Sequence, residues 1–149
     1  MFKEIRNNCF LFFLPTLLCG VFIFINGESN RIIEPKMFPS FIDIVYNNFI
    51  ILIFLIMSGC ISCFFPYCIL FFNSITLSIF ILIYGNYVGA LCRIFPYGIL
   101  EVLGYSIGCY TGTHMREHSL KLSIQLSVVA GFILLISAII ESLIIKGVS

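Results

Sequence analysis

The chain has 149 residues and a formal net charge of +1, with 60% hydrophobic and only 10% charged side chains. Its mean hydropathy of +1.12 excludes an ordinary soluble globular domain, and its near-neutral charge gives no basis for binding nucleic acid. Apolar runs of about 20 residues are long enough for a helix to cross about 30 Å of hydrocarbon. The sequence therefore predicts an all-α membrane protein, with a single integral domain over residues 1–149.

The first predicted span covers residues 9–25 and follows a short charged N-terminal segment. A cleavable signal peptide would need small residues at a cleavage site, but Asn26, Gly27 and Glu28 follow the apolar run. We therefore interpret the segment as an uncleaved span. The polar connection after it, residues 26–47, is the only substantial segment expected to be exposed to water.

Four further spans are predicted, with a broken region between the third and fourth helices. Asn73 and Ser74 give the turn signal that ends the second span, and Pro96 and Gly98 give the break before the fourth. Such a break is tolerated at membrane depth only where protein or a water-filled cavity satisfies the freed backbone groups. The predicted spans are residues 49–72, 75–92, 98–111 and 122–145.

Two charged side chains interrupt the apolar stretch between Asn48 and Gly112, namely Arg93 and Glu101. A charge at bilayer depth costs several kcal/mol, so it is rarely accidental. We expect a structural ion pair between the two, in preference to transport chemistry. Glu141 in the last span is predicted to reach the same depth and to join this polar cluster.

Glycines recur at a spacing of four residues in the predicted fourth helix, at Gly104, Gly108 and Gly112. Overlapping GxxxG patterns let membrane helices approach closely. We predict that these faces pack helices within one bundle rather than between two copies, and a homo-oligomer remains an alternative.

The segment from His114 to His118 matches the H-x-x-E-H pattern of inverted zinc peptidases, with Glu117 as the base. Catalytic zinc needs a third protein ligand. The only downstream acid is Glu141, about 35 Å further along a helix at about 1.5 Å per residue. We therefore predict a polar turn without a metal.

Seven cysteines are present, and Cys60 and Cys63 form a CxxC pair. In another setting that spacing indicates thiol–disulfide exchange. Here the pair is expected in the middle of the second span without a flanking charge, which disfavours redox chemistry. A membrane thiol oxidoreductase stays the less favoured alternative.

A set of motifs in order covers residues 47–145: an Asn-Asn pair before the second span, a glycine inside it, an asparagine at the following turn, a Pro-x-Gly-x-x-Glu segment and a late Ala-Ile-Ile-Glu segment. They resemble the stage II sporulation protein M family, although Tyr97 stands where that family usually has histidine. The resemblance and the charge pattern together mark a polar cluster or partner contact. Its candidate residues are Asn47, Asn48, Asn73, Arg93, Pro96, Tyr97, Gly98, Glu101 and Glu141.

The resemblance implies a five-span membrane protein without catalysis of its own, cofactor or metal. The family's sporulation member resembles a partner of cell-wall hydrolases during engulfment. Other members of the family are encoded beside ABC-type exporters, including systems for circular bacteriocins. We therefore expect a scaffold or accessory subunit of an envelope-remodelling or peptide-export complex in a bacterial cytoplasmic membrane. Its partners would be the lipid bilayer and a hydrolase-type or ATPase-type protein. The main alternative is a transporter or channel subunit in which Arg93, Glu101 and Glu141 line a solute path.

Orientation rests on weak signals, because the basic residues divide almost equally between the two predicted sides. The acidic excess of the connection over residues 26–47 and the N-terminal amine favour a cytoplasmic N-terminus. The expected topology is N-terminus inside and C-terminus outside.

Overall fold

The computed structural model describes residues 1–26, 39–83 and 87–148, without the side chains of residues 16, 19–20, 22–26, 80–83, 87–93 and 146–148. These residues form five α-helices, and no strand occurs among them. The prediction of an all-α fold with five helices is confirmed. The helices are α1 (Phe2–Asn26), α2 (Phe41–Ser58), α3 (Phe65–Ile83), α4 (Tyr87–Thr113) and α5 (Leu120–Val148).

The turn predicted at Asn73 and Ser74 is wrong, because both residues lie inside α3. The chain turns instead at residues 59–64, immediately after α2. Gly59 caps the C-terminus of α2, and Pro66 occupies the first turn of α3, where its missing N–H has no helical acceptor to lose. Pro66 therefore lies at the start of a helix, although the sequence placed it within the predicted span of residues 49–72.

The break predicted between the third and fourth helices at Pro96 and Gly98 is also wrong, because α4 continues through both residues. Pro96 is exposed on the outer side of the helix, so its ring displaces no neighbouring helix. Membrane-type helices tolerate such prolines where surrounding groups satisfy the freed backbone.

Helix α2 begins at Phe41, six residues before the end of the predicted polar connection at residue 47. Ser40 is its N-cap and forms a capping box with Asp43: the Asp43 N–H donates to the Ser40 hydroxyl at 3.3 Å, and the Ser40 N–H donates to the Asp43 carboxylate at 3.0 Å. Two N–H groups that would otherwise lack partners are thereby satisfied, which starts the helix at Phe41.

Successive helices run in opposite directions, and α4 packs against all four others. Against α4, α2 runs parallel, since Asn48 meets Glu101 at one end and Leu55 meets Gly112 at the other. Helix α5 runs antiparallel, with the Ser137 hydroxyl donating to the Tyr97 carbonyl at 2.9 Å. The centre of the bundle is therefore built around α4.

Glycines on α4 let its neighbours approach the backbone. A Cβ added to Gly104 would lie 2.7 Å from Leu134 Cγ of α5, and one added to Gly108 would lie 2.6 Å from Leu52 Cδ1 of α2. At Gly112 the added Cβ would overlap the backbone oxygen of Leu55. These three glycines thus lie at contacts between helices of one chain.

Many large apolar side chains are exposed on the outside of the bundle, while its interior combines an apolar core with several small polar side chains. This arrangement suits a lipid environment. Among the described helices, two are long and apolar enough to cross a membrane, Phe41–Ser58 and Leu120–Ile145, and Phe65–Ile79 is a shorter apolar helix. The exposed apolar residues include Phe2, Phe10, Phe54, Phe72, Phe95 and Phe132, and the buried polar ones are Asn8, Asn48, Ser58, Ser74, Ser78, Ser106, Thr111, Ser123 and Ser137.

Replacing Gly112 by alanine should destabilise the bundle, because the new methyl group meets backbone of α2 that cannot rotate away. Overpacking of this kind costs about 1–3 kcal/mol, more than the gain of up to about 1 kcal/mol in helix propensity. Thermal unfolding in mild detergent should show a lower midpoint for Gly112→Ala.

Gly131→Ala in α5 is the matched control, since its added Cβ would lie 3.5 Å from Phe49 Cε1, an ordinary contact. We expect an unchanged or higher midpoint for this variant. Equal losses in the two variants would contradict the assigned α2–α4 contact.

Candidate functional site

A buried hydrogen-bond network joins α2 to α4 near one end of the bundle. The Asn48 side-chain amide donates to Glu101 Oε1 at 3.0 Å, and the Tyr105 hydroxyl donates to Asn48 Oδ1 at 2.8 Å. Asn48 and Tyr105 are 3% and 2% exposed, and Glu101 is partly buried. Both ends of the Asn48 amide are used, so its orientation is fixed.

Helical periodicity brings these three side chains together. Asn48, Leu52 and Leu55 share one face of α2 because they are spaced by four and three residues. Glu101 and Tyr105 share a face of α4 for the same reason. The close approach of the two helices places Asn48 between the carboxylate and the phenol.

Glu141 on α5 completes the polar region from a third helix. Its partly buried carboxylate interacts electrostatically with that of Glu101, and both carboxylates act on the Tyr105 hydroxyl. The two carboxylates are therefore within electrostatic range of each other across the α4–α5 contact, and the Asn48 amide donates a hydrogen bond to that of Glu101.

The side chain of Arg93 lies outside the part of the chain that the structure describes, and so does its predicted ion pair with Glu101. Arg93 belongs to α4, and the continuous helix sets it two turns before Glu101, a rise of about 12 Å at about 1.5 Å per residue. No cation pairs with Glu101 among the side chains that the structure describes. The pair stays a prediction.

The remaining predicted cluster residues are dispersed around this network. Asn47 is exposed on α2, one residue before the buried Asn48, and Asn73 is half-buried inside α3. On α4, Pro96 is exposed, Gly98 is buried, and the half-buried Tyr97 accepts the Ser137 hydrogen bond through its carbonyl. The structure thus brings together Asn48, Glu101 and Glu141, and leaves Asn47 and Asn73 apart from them.

A second polar cluster lies at the opposite end, where α4 ends near the start of α1. The His114 and His118 rings stack with centroids 5.5 Å apart, and the Tyr110 ring lies 4.6 Å from His114 and 5.4 Å from His118. His114 Nε2 is 3.4 Å from a Glu4 carboxylate oxygen, while His118 Nε2 is 3.0 Å from the Tyr110 hydroxyl.

This geometry does not resemble a zinc peptidase site. The imidazole rings are nearly parallel, with an angle of 20° between their planes, and their Nε2 atoms meet different partners. Within the described part of the chain, no group of three or more His, Cys, Asp or Glu side chains is placed to hold a metal ion. The cluster fastens the start of α1 to the end of α4.

The sequence predicted the CxxC pair in the middle of a span, and the structure corrects this. Cys60 and Cys63 are exposed in the turn between α2 and α3. A cation is also close, because the Arg116 guanidinium donates to the Cys60 carbonyl at 2.7 Å and to the Ile61 carbonyl at 3.4 Å. The correction follows from the end of α2 at Ser58.

Sequence reasoning missed Tyr105 and Glu4 as members of the two clusters. Tyr105 had a usable signal, since it stands four residues after Glu101 and its hydroxyl requires a partner when buried. Glu4 had none, because its contact with His114 depends on how α1 packs against α4.

The fold is a helical bundle in which interior polar groups form hydrogen bonds between helices and many large apolar side chains are exposed, which is consistent with a membrane protein. The family model of stage II sporulation protein M matches residues 9–144. The chain belongs to that family, which confirms the resemblance seen in its motifs and is consistent with a membrane protein. No curated protein and no solved structure matches the chain.

Asn48→Ala should destabilise the protein, because it leaves both the Tyr105 hydroxyl and a Glu101 oxygen without a partner. Each buried unsatisfied group costs about 1–3 kcal/mol. Asn47→Ala, one residue earlier on the exposed side of α2, is the control and should change stability by less than about 0.5 kcal/mol. Thermal unfolding in detergent measures both.

Combining Asn48→Ala with Glu101→Ala should cost less than the sum of the two single changes, by about 0.5–3 kcal/mol, as expected for groups in contact. A strictly additive cycle would mean that the hydrogen bond contributes nothing to stability.

Proposed function

We propose that the chain is a five-span, multi-pass membrane protein without catalysis of its own. It acts as a scaffold or accessory subunit of an envelope-remodelling or peptide-export complex in a bacterial cytoplasmic membrane. Family membership supports the membrane and sporulation setting. The alternation of helix directions supports five crossings, with an odd number placing the two termini on opposite sides.

The observation that supports the scaffold role is that interior polar groups form hydrogen bonds between helices. The Asn8 amide joins α1 to α4 through the Ser106 carbonyl at 3.4 Å, and the Ser74 hydroxyl joins α3 to α1 through the Phe12 carbonyl. Among the buried side-chain nitrogen and oxygen atoms of the described residues, only the Ser123 hydroxyl lacks a partner. A bundle fastened in this way holds a fixed shape, as positioning a partner requires.

The partner contact is best placed on the exposed residues beside the buried network. Asn47 and Pro96 are both exposed, on α2 and α4, and the hydrogen bond between Asn48 and Glu101 joins those two helices. In this arrangement the network acts indirectly, by keeping the outer residues in a constant position.

A transport subunit is the second candidate, and the electrostatic interaction between the carboxylates of Glu101 and Glu141 favours it. Intramembrane carboxylates often mark ion or proton paths. Ion or solute flux in proteoliposomes that Glu101→Gln abolishes, without loss of thermal stability, would establish this function in place of the scaffold.

For the orientation, we expect Ser29→Cys to react with a membrane-impermeant thiol reagent added from outside, in a background lacking the native cysteines. Ser119→Cys, in the turn between α4 and α5, should react only after the membrane is opened. The reverse pattern would place the N-terminus outside.

For the scaffold role, a photo-reactive amino acid at Asn47 should form a covalent adduct with a second membrane protein in sporulating or exporting cells. The same amino acid at the exposed Ile61, in the turn that follows the other end of α2, is the control and should give no such adduct. Absence of the Asn47 adduct, with the protein folded and expressed, would contradict the proposed contact surface.

A further inference from the structure

The turn between α2 and α3 exposes two thiols on one short segment. Cys60 and Cys63 are free, exposed and three positions apart in residues 59–64. A two-residue spacer between cysteines is a recurrent ligand spacing in protein metal sites. Neither thiol is used by the buried network or by the contacts between helices described above.

A third sulfur comes from a distant part of the chain. Met115 lies in the turn that follows α4, and its Sδ atom is 3.4 Å from Cys60 Sγ. The two residues are 55 positions apart in sequence, so helix packing and not local structure brings the sulfurs together. Soft donor atoms from two turns therefore converge at one end of the bundle.

The two turns are held in place by contacts that involve neither sulfur. Arg116, next to Met115, donates to the Cys60 carbonyl at 2.7 Å and to the Ile61 carbonyl at 3.4 Å. Gly59, next to Cys60, packs directly on the backbone of Gly112. Cys60 and Met115 are thus positioned before any ion arrives, which limits the ordering cost of binding.

We infer that Cys60, Cys63 and Met115 form a binding site for one Cu(I) ion. Thiolate and thioether sulfurs are soft ligands of the kind that Cu(I) selects. Each thiol releases its proton as it coordinates, so binding one ion frees two protons and leaves the oxidation state of the copper unchanged. The Arg116 guanidinium offsets part of the negative charge that two thiolates and one Cu⁺ carry together.

Zinc fits this donor set less well. Zn²⁺ sites in proteins use thiolate, imidazole and carboxylate ligands and are usually four-coordinate. His114 and His118 engage Glu4 and Tyr110 instead, and no third His, Cys, Asp or Glu joins the two cysteines among the described residues. A methionine thioether as the third ligand therefore selects copper.

The test uses the full-length, reduced protein in detergent, titrated anaerobically with Cu(I) in competition with a chromogenic Cu(I) chelator. We expect one equivalent to bind. Cys60→Ser and Cys63→Ser should each abolish stoichiometric binding, and Met115→Leu should weaken it by about tenfold or more, the scale of loss on removing even an outer partner of a metal. X-ray absorption of the copper complex should show sulfur ligands only.

Met57→Leu and Cys68→Ser are the matched controls. Met57 is exposed and only three residues from Cys60, so it would be the thioether expected from sequence proximity. Both controls should bind as the unaltered protein does, and thermal unfolding should confirm that every variant is folded. Absence of Cu(I) binding, binding that survives Cys60→Ser or Cys63→Ser, a loss caused by Met57→Leu instead of Met115→Leu, or stoichiometric zinc retained against Cu(I) would each overturn the assignment.

Discussion

The arrangement of the bundle depends on the close approach of α2 to α4. At Gly108 and Gly112 the α4 backbone has no side chains to keep α2 away, and Leu52 and Leu55 fill the space that Cβ atoms would occupy. Dispersion contacts between tightly packed backbones are what holds helices together where water does not drive their association. This contact sets the parallel register of the two helices, and with it the position of every polar group they carry.

The positions of the buried hydrogen-bond network and of the sulfur atoms of Cys60 and Met115 both follow from that register. Toward one end of the bundle it brings the Asn48 amide within 3.0 Å of Glu101. At the other it presses Gly59 onto Gly112, which brings the α2–α3 turn beside the turn after α4 and sets Cys60 next to Met115. The same α2–α4 packing contact therefore positions the buried network at one end and the Cys60 and Met115 sulfurs at the other. Rigid helices, and not a chain of flexible side chains, link the two.

The interior chemistry also explains why a scaffold role suits this fold. Asparagine and serine side chains in an apolar surrounding are costly unless each donor and acceptor is paired, and here they are paired mainly with groups on other helices. Opening the bundle would break several such bonds at once. The carboxylates of Glu101 and Glu141, which interact electrostatically, are where a transport role would have to begin.

Composition and local spacing determined the class of the protein, the number of helices and the faces that pack. The apolar excess predicts a lipid-facing exterior, and a four-residue glycine spacing lies on one side of any α-helix. The motifs between Asn47 and Glu141 were enough to indicate the family. These features could be predicted because they depend on residues close together in the chain.

Tertiary structure decided where two of the helices end and which distant side chains meet. Pro66 and Pro96 carry the same local signal, yet one starts α3 and the other lies within α4, because the exposed side of α4 accommodates the ring. The partnership of Cys60 with Met115 depends on the order and direction of helices that periodicity does not encode. Contacts between residues some 55 positions apart exist only once the α2–α4 register is set.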